Sequence, residues 1–255
     1  MHMIPLGLLA AVGLNLSFGL TLGVLGGMLG IGGGLIAIPL LARLYGMDQQ
    51  LAQGTALILV VPNVLIGFLR YRQRHPVNLR HIGAMLLPAL IAAHLSARLA
   101  IAMDPRSLRL TFAAFLVALA AFMAWQRGDG RGQPARAPLL SARCYPLVGL
   151  LSGVMSGLFT IGGGLIVVPA LMLLFGTAQT AAQGMALAMV LPGAIVALFS
   201  YAQAGQVDWG VGLPLAAGGI LTVSLGVSIA HALPPRRLRW LFCATLLGTA
   251  VAVVA

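Results

Sequence analysis

The stretch Gly30-Ile31-Gly32-Gly33-Gly34-Leu35-Ile36-Ala37-Ile38-Pro39 returns 130 positions later as Thr160-Ile161-Gly162-Gly163-Gly164-Leu165-Ile166-Val167-Val168-Pro169. The match continues outward. With the same offset and no gap, Gly23-Val24 falls on Gly153-Val154, Gly46 on Gly176 and Gln53-Gly54 on Gln183-Gly184. Pro62 falls on Pro192, Tyr71 on Tyr201 and Pro105-Arg106 on Pro235-Arg236. Between 23 and 62, 21 of 40 positions are identical, more than shared apolar composition produces. Self-similarity at a fixed offset marks a repeated structural unit. The chain therefore reads as a first repeat, 1–126, a polar linker, 127–144, and a second repeat, 145–255.

Composition identifies the solvent around these repeats. Of 255 residues, 60% are hydrophobic and 7% charged, with a mean hydropathy of +1.02. Soluble domains carry about 25% charged residues. So few charges cannot coat a soluble surface, which excludes a cytosolic enzyme, a disordered chain and a small disulfide scaffold. The fold class that follows is an all-α polytopic membrane protein, because a helix satisfies its own backbone in lipid. The net charge of +11 comes entirely from Arg among the bases. These Arg residues stand in short loops between apolar runs, which points to membrane orientation and away from nucleic acid. The first residues, Met1–Pro5, lack the positive start of a cleaved leader, so the first run is expected in the mature chain. Cys144 and Cys243 form no metal or redox pattern.

Each repeat divides into a broken hairpin and three spanning helices. In the first these are 6–45, then 51–69, 81–102 and 107–125. In the second they are 146–175, then 181–201, 209–232 and 238–254. A full crossing takes about 20 helical residues. The segments 31–45 and 162–175 are too short and each opens on a glycine triplet. Short, Gly-interrupted segments at matching places in two halves are the pattern of transporter binding sites. Whether they cross the membrane or re-enter stays open at this point.

Arginine placement sets the expected topology. Arg70, Arg72, Arg74 and Arg80 have as counterparts Ser200, Ala202, Ala204 and Gly210. A basic loop whose twin has no base is what inverted repeats require, since cytoplasmic loops collect positive charge. The loops 70–80, 127–143 and 234–239 are then cytoplasmic and hold 11 of the 15 Arg. Both termini come out on the other side.

The glycine triplets Gly32, Gly33, Gly34 and Gly162, Gly163, Gly164 are the first candidate site residues. Without Cβ atoms the backbone can bring N–H groups close to a ligand. A helix start carries a partial positive charge and unpaired donors, so two of them make an anion site without Lys or Arg. The competing role is close helix packing. Gln53 and Gln183, matching polar residues inside the membrane, suit either the site or a bond between helices. Thr55 and Thr160 add hydroxyls; their counterparts are Met185 and Gly30. Asn63 reads as a helix–helix hydrogen bonder, and Asn15, Ser17 and Ser156 as weaker candidates. His94 reads as a packed, hydrogen-bonded histidine and Arg98 as a residue reaching the interface. Asp48, Asp104, Asp129 and Asp208 all fall in loops, so no carboxylate coupling site is expected at mid-membrane. Motifs of an enzyme are missing, and no metal or cofactor is expected.

Three pieces together resemble the TauE/SafE sulfite-exporter family. They are the repeated glycine-triplet-to-proline element, Ala52-Gln53-Gly54-Thr55, and Gly205-Gln206-Val207-Asp208-Trp209. With 233–239 the resemblance covers nearly the whole chain. It implies a multi-pass transporter of the cell inner membrane for small sulfur-containing anions of the sulfite, sulfonate or sulfoacetate type, usually an exporter. Thr160 and Met185 depart from the family pattern and leave the anion open. Alternatives are a passive anion channel, an uptake carrier for a related organic anion, and a structural membrane protein. The expected partners are the anion and the lipid bilayer, and a homodimer is compatible with the sequence.

Overall fold

The computed structural model describes residues 6–72, 79–125, 144–160, 167, 170, 171, 174–176, 179–233 and 235–254. The second triplet Gly162–Gly164, Pro169 and the linker 127–143 lie outside the described residues. The described helices are α1 (Leu6–Leu29), α2 (Gly34–Tyr45), α3 (Gln49–Arg72), α4 (Leu79–Ala102), α5 (Pro105–Trp125), α6 (Tyr145–Phe159), α7 (Gln179–Gln203), α8 (Trp209–Ala232) and α9 (Pro235–Val254). Among the described residues there is no strand. The protein is an all-α membrane protein, and α1, α3, α4, α5 and α8 are long and apolar enough to cross a bilayer.

The few charged residues mark where helices begin. Asp48 Oδ1 accepts the Leu51 N–H at 2.8 Å, Asp104 Oδ2 accepts that of Ser107 at 3.0 Å, and Asp208 Oδ1 accepts that of Val211 at 3.1 Å. Each carboxylate thus caps a helix start, where it satisfies an otherwise free donor and meets the positive end of the dipole. This accounts for the loop positions of Asp48, Asp104 and Asp208; Asp129 lies outside the described residues.

Tertiary packing interleaves the two halves. Backbone atoms of α8 approach α1 so closely that a Cβ at Gly19 would stand 2.2 Å from the Leu215 carbonyl oxygen. A Cβ at Gly23 would stand 2.6 Å from that of Gly219, and one at Gly27 2.3 Å from that of Val223. The order of contacts is the same along both chains, so α1 and α8 run parallel. In the other half a Cβ at Gly149, Gly153 or Gly157 would lie 2.2 Å from the carbonyl oxygen of Met85, Ala89 or Ala93, so α6 runs parallel to α4. The second set of pairs is the first set shifted by the repeat offset of 130 residues. Small residues let helix backbones meet at such distances, where dispersion replaces the hydrophobic effect that lipid cannot supply. Helix α1 of the first half therefore packs on α8 of the second, and α6 of the second half on α4 of the first. Helices α3 and α7 meet between these two pairs, and α5 packs on α9.

The helix α2 is shorter than a bilayer is thick. Its 12 residues rise about 18 Å at 1.5 Å per residue, against about 30 Å of hydrocarbon. It starts beside Leu22 of α1 and Leu59 and Val60 of α3, far from either end of α3. The chain reverses into it through Gly30, Gly32 and Gly33, all left-handed, with φ of 71°, 72° and 91°. Ile31 N–H closes this reversal onto Gly26 O at 3.1 Å. The helix then ends at left-handed Gly46, and three residues later α3 begins.

Candidate functional site

The start of α2 is held from α3. Asn63 donates Nδ2–H to Gly32 O at 3.1 Å, which is the helix-bonding role expected for it. The backbone N–H groups of Gly34 and Leu35 are in the first turn, where no carbonyl precedes them in helical register. Neither makes a hydrogen bond to another described residue. Gly34 faces the Val60 side chain and the Thr160 carbonyl oxygen; a Cβ there would lie 2.6 Å from Val60 Cγ2 and 3.5 Å from Thr160 O. The break after α1 in the first half and the break after α6 in the second thus adjoin one another.

Thr160 takes the backbone state of its counterpart Gly30. Its φ of 56° is left-handed, and no other described residue apart from glycine has a positive φ. Its N–H bonds Ser156 O at 3.0 Å and its hydroxyl donates to Phe159 O at 2.7 Å. The residue is fully buried. A β-branched residue in this region is strained by about 1–3 kcal/mol, and such strain clusters where function needs it.

Gln53 lies close by, in the first turns of α3, with no exposed surface. Its Oε1 accepts the Tyr201 hydroxyl at 2.8 Å, while its Nε2 has no partner among the described residues. Tyr201 Oη stands 3.5 Å from Gly157 O, three residues before Thr160. The hydroxyls of Ser152 and Ser156, on the same helix, are buried and unpartnered as well. Gln53, Tyr201, Ser156, Thr160 and the α2 start form one connected region between the halves, and no charged residue belongs to it. Its free side-chain groups are three donors, Gln53 Nε2 and the Ser152 and Ser156 hydroxyls, and one acceptor, Asn63 Oδ1 beside the α2 start. An unpartnered buried donor costs about 1–3 kcal/mol, which an anion oxygen entering the region would relieve.

Thr55 faces elsewhere. Its Oγ1 accepts the Asp208 N–H at 2.9 Å, and at Gly54 a Cβ would stand 1.8 Å from Gln206 O. The Gln-Gly-Thr step at 53–55 and the loop 205–209 are therefore a single contact in space. Gly34 and Thr160 adjoin one another, Gln53 reaches the same helix α6 only through Tyr201 and Gly157, and Thr55 holds the loop. Gln183 sits in α7, and its side chain, like Gly162, Gly163 and Gly164, lies outside what the structure describes. His94 Nδ1 is 3.0 Å from Ser200 Oγ, which also lies 2.9 Å from Val196 O, so His94 is a hydrogen-bonded histidine. Arg98 is exposed. Among the described residues no three His, Cys, Asp or Glu side chains gather as metal ligands.

Tyr201 is the site residue that sequence reasoning passed over. Its signal was the identity of Tyr71 and Tyr201 across the repeat, in a chain with four tyrosines.

Residues 15–253 match the family model described as Sulfite exporter TauE/SafE. A probable membrane transporter protein of Xylella fastidiosa (strain 9a5c) is 27% identical over 225 residues, 88% of this chain and 85% of that protein. One of Methanocaldococcus jannaschii is 27% identical over 245 residues, 90% of each chain. The probable membrane transporter protein YunE of Bacillus subtilis is 24% identical over 234 residues, 83% of this chain and 85% of YunE.

Proposed function

This chain belongs to the TauE/SafE sulfite exporter family, and on that premise we propose that it is a secondary carrier exporting small sulfur-containing oxyanions of the sulfite, sulfonate or sulfoacetate type across the inner membrane. The two halves work as inverted repeats. The meeting of Gln53 near the start of α3 and Tyr201 near the end of α7, in two helices that pack side by side, supports this. Corresponding helices that meet start to end run in opposite senses. With the Arg70–Arg72 end of α3 toward the cytoplasm, the Gly46 end faces outward.

The observation that carries the substrate class is the buried, unpartnered Nε2 of Gln53 in a region of neutral donors. Neutral N–H and O–H groups recognise the anion through charge-assisted bonds yet leave the empty carrier uncharged. The anion binds between the α2 start, Gln53 and the Thr160 turn. One half then rocks against the other to move access from side to side.

Sulfite flux in proteoliposomes, kept under argon, tests this reading. Gly34→Ala places a methyl between the α2 start and Thr160 and should abolish flux in protein that remains monodisperse. Full flux in that variant removes the site from this region. Saturation of flux with substrate distinguishes a carrier from an open pore.

A further inference from the structure

At the end of the bundle where α2 stops and α3 starts is a cavity of about 290 Å³, close to the smallest ligand pockets. Pro39, Ala42, Arg43, Gln49, Arg109 and Ala252 are in its lining. The α2 start is some nine residues from Arg43, about 14 Å along the helix, so this cavity is distinct from the central region. Three residues make it polar: Arg43 and Arg109, both exposed, and Gln49, the one that is buried. Arg43 uses Nε in a 3.2 Å bond to Ala252 O, which leaves its terminal NH2 groups without a described partner. Arg109 makes no hydrogen bond or ion pair with a described residue. Gln49 is 4% exposed and its Nε2 has no partner among the described residues. The nearest acid in sequence, Asp48, is turned to the Leu51 N–H and caps α3.

Two guanidinium groups and a buried amide around one small space match the oxygens of a tetrahedral or pyramidal oxyanion. Arginine is weakly hydrated and offers paired N–H donors in a plane, which suits sulfur and phosphorus oxyanions alike. A buried amide N–H without a partner is costly, and a ligand oxygen relieves that cost. Neither arginine is neutralised by a carboxylate of the described chain. By contrast the repeat offset puts Leu173 opposite Arg43, so the charge pair belongs to one end of the protein only.

We propose that this cavity is a second anion site, separate from the transport site, that takes one small oxyanion group between Arg43, Arg109 and Gln49. The group is supplied by a free anion, such as an exported sulfur oxyanion leaving the carrier, or by the phosphate of an anionic lipid. The site itself stands independently of the central transport reading.

Calorimetric titration of the full-length protein with sulfate, in phosphatidylcholine nanodiscs, tests the proposal. Arg109→Gln should weaken sulfate binding about tenfold or more, the loss expected for one bond between charged groups. Arg43→Gln should do the same, and Arg43→Lys should retain much of the affinity. Gly34→Ala should leave this binding in place, even where it stops flux. Discs containing phosphatidylglycerol separate the two sources: a drop in sulfate affinity assigns the site to the lipid phosphate, and an unchanged affinity to the free anion. Equal affinity in wild type and Arg109→Gln overturns the proposal, as does absence of sulfate binding to the wild type in phosphatidylcholine. Loss of all binding in Gly34→Ala, with Arg109→Gln unchanged, also overturns it and leaves the central site standing.

Discussion

The Tyr201 hydroxyl donates to Gln53 Oε1 across 2.8 Å, and both side chains are fully buried. Tyr201 lies near the end of α7 in the second half, and Gln53 near the start of α3 in the first. The bond fixes the orientation of the Gln53 amide, so that Nε2 is left for another partner.

Tyr201→Phe should lower stability by about 1–3 kcal/mol, since Oε1 is then buried without a donor. It should also weaken anion binding, because the amide loses its anchor. Adding Gln53→Leu should cost less than the sum of the two single changes. Detergent-solubilised unfolding curves for the four proteins of this cycle give the coupling directly. Strict additivity would mean that the bond contributes nothing.

The three glycines of the first triplet differ in what they permit. Gly33 has a φ of 91°, and a Cβ there would lie 2.8 Å from the Leu22 carbonyl oxygen. Its replacement by Ala or Val should damage folding and flux together. Gly34 has ordinary helical geometry and meets mainly the flexible Val60 side chain. Gly34→Ala combined with Val60→Ala should therefore keep near-normal thermal stability and still impair flux. Paired melting and flux measurements separate the two positions.

Thr160→Gly should be at least as stable as wild type, because glycine accepts the φ of 56° without strain. Thr160→Val keeps the strain and loses the bond to Phe159 O, and should cost about 1–2 kcal/mol. A flux defect in the stable Gly variant would assign the hydroxyl a role in binding. Thermal unfolding that ranks Val above Gly would show that the turn relaxes away from the left-handed state.

Gly54→Ala should be far more harmful than Thr55→Val. A Cβ at Gly54 meets Gln206 O at 1.8 Å, backbone that cannot move without shifting the whole 205–208 turn. Thr55→Val loses a single bond to Asp208 N–H, worth about 1 kcal/mol. Expression level and melting temperature of the two variants check the order.

Much of this protein is legible in its sequence because the signals are local. A helix in lipid must be apolar along its whole length, so residues 51–69, 81–102, 107–125 and 209–232 announce themselves; α3 then extends the first of these to 49–72. Glycines with positive φ must stand where the chain reverses, so the triplet at 32–34 marks the head of α2 before any packing is known. The repeat offset of 130 residues is arithmetic on the sequence itself. The exchange of partners between halves was not legible. Gly19, Gly23 and Gly27 say only that some backbone comes close; that α8 supplies it depends on which surfaces fit in three dimensions. Thr55 had the composition of a site residue, yet its hydroxyl is committed to Asp208, 153 positions away. Tyr201 stood out only as the repeat of Tyr71, yet it is bound to Gln53, 148 positions away. A residue type records what chemistry a side chain can offer, and periodicity records the solvent on each side of a helix. Which donor meets which acceptor is decided only when the interleaved helices pack and exclude every other arrangement.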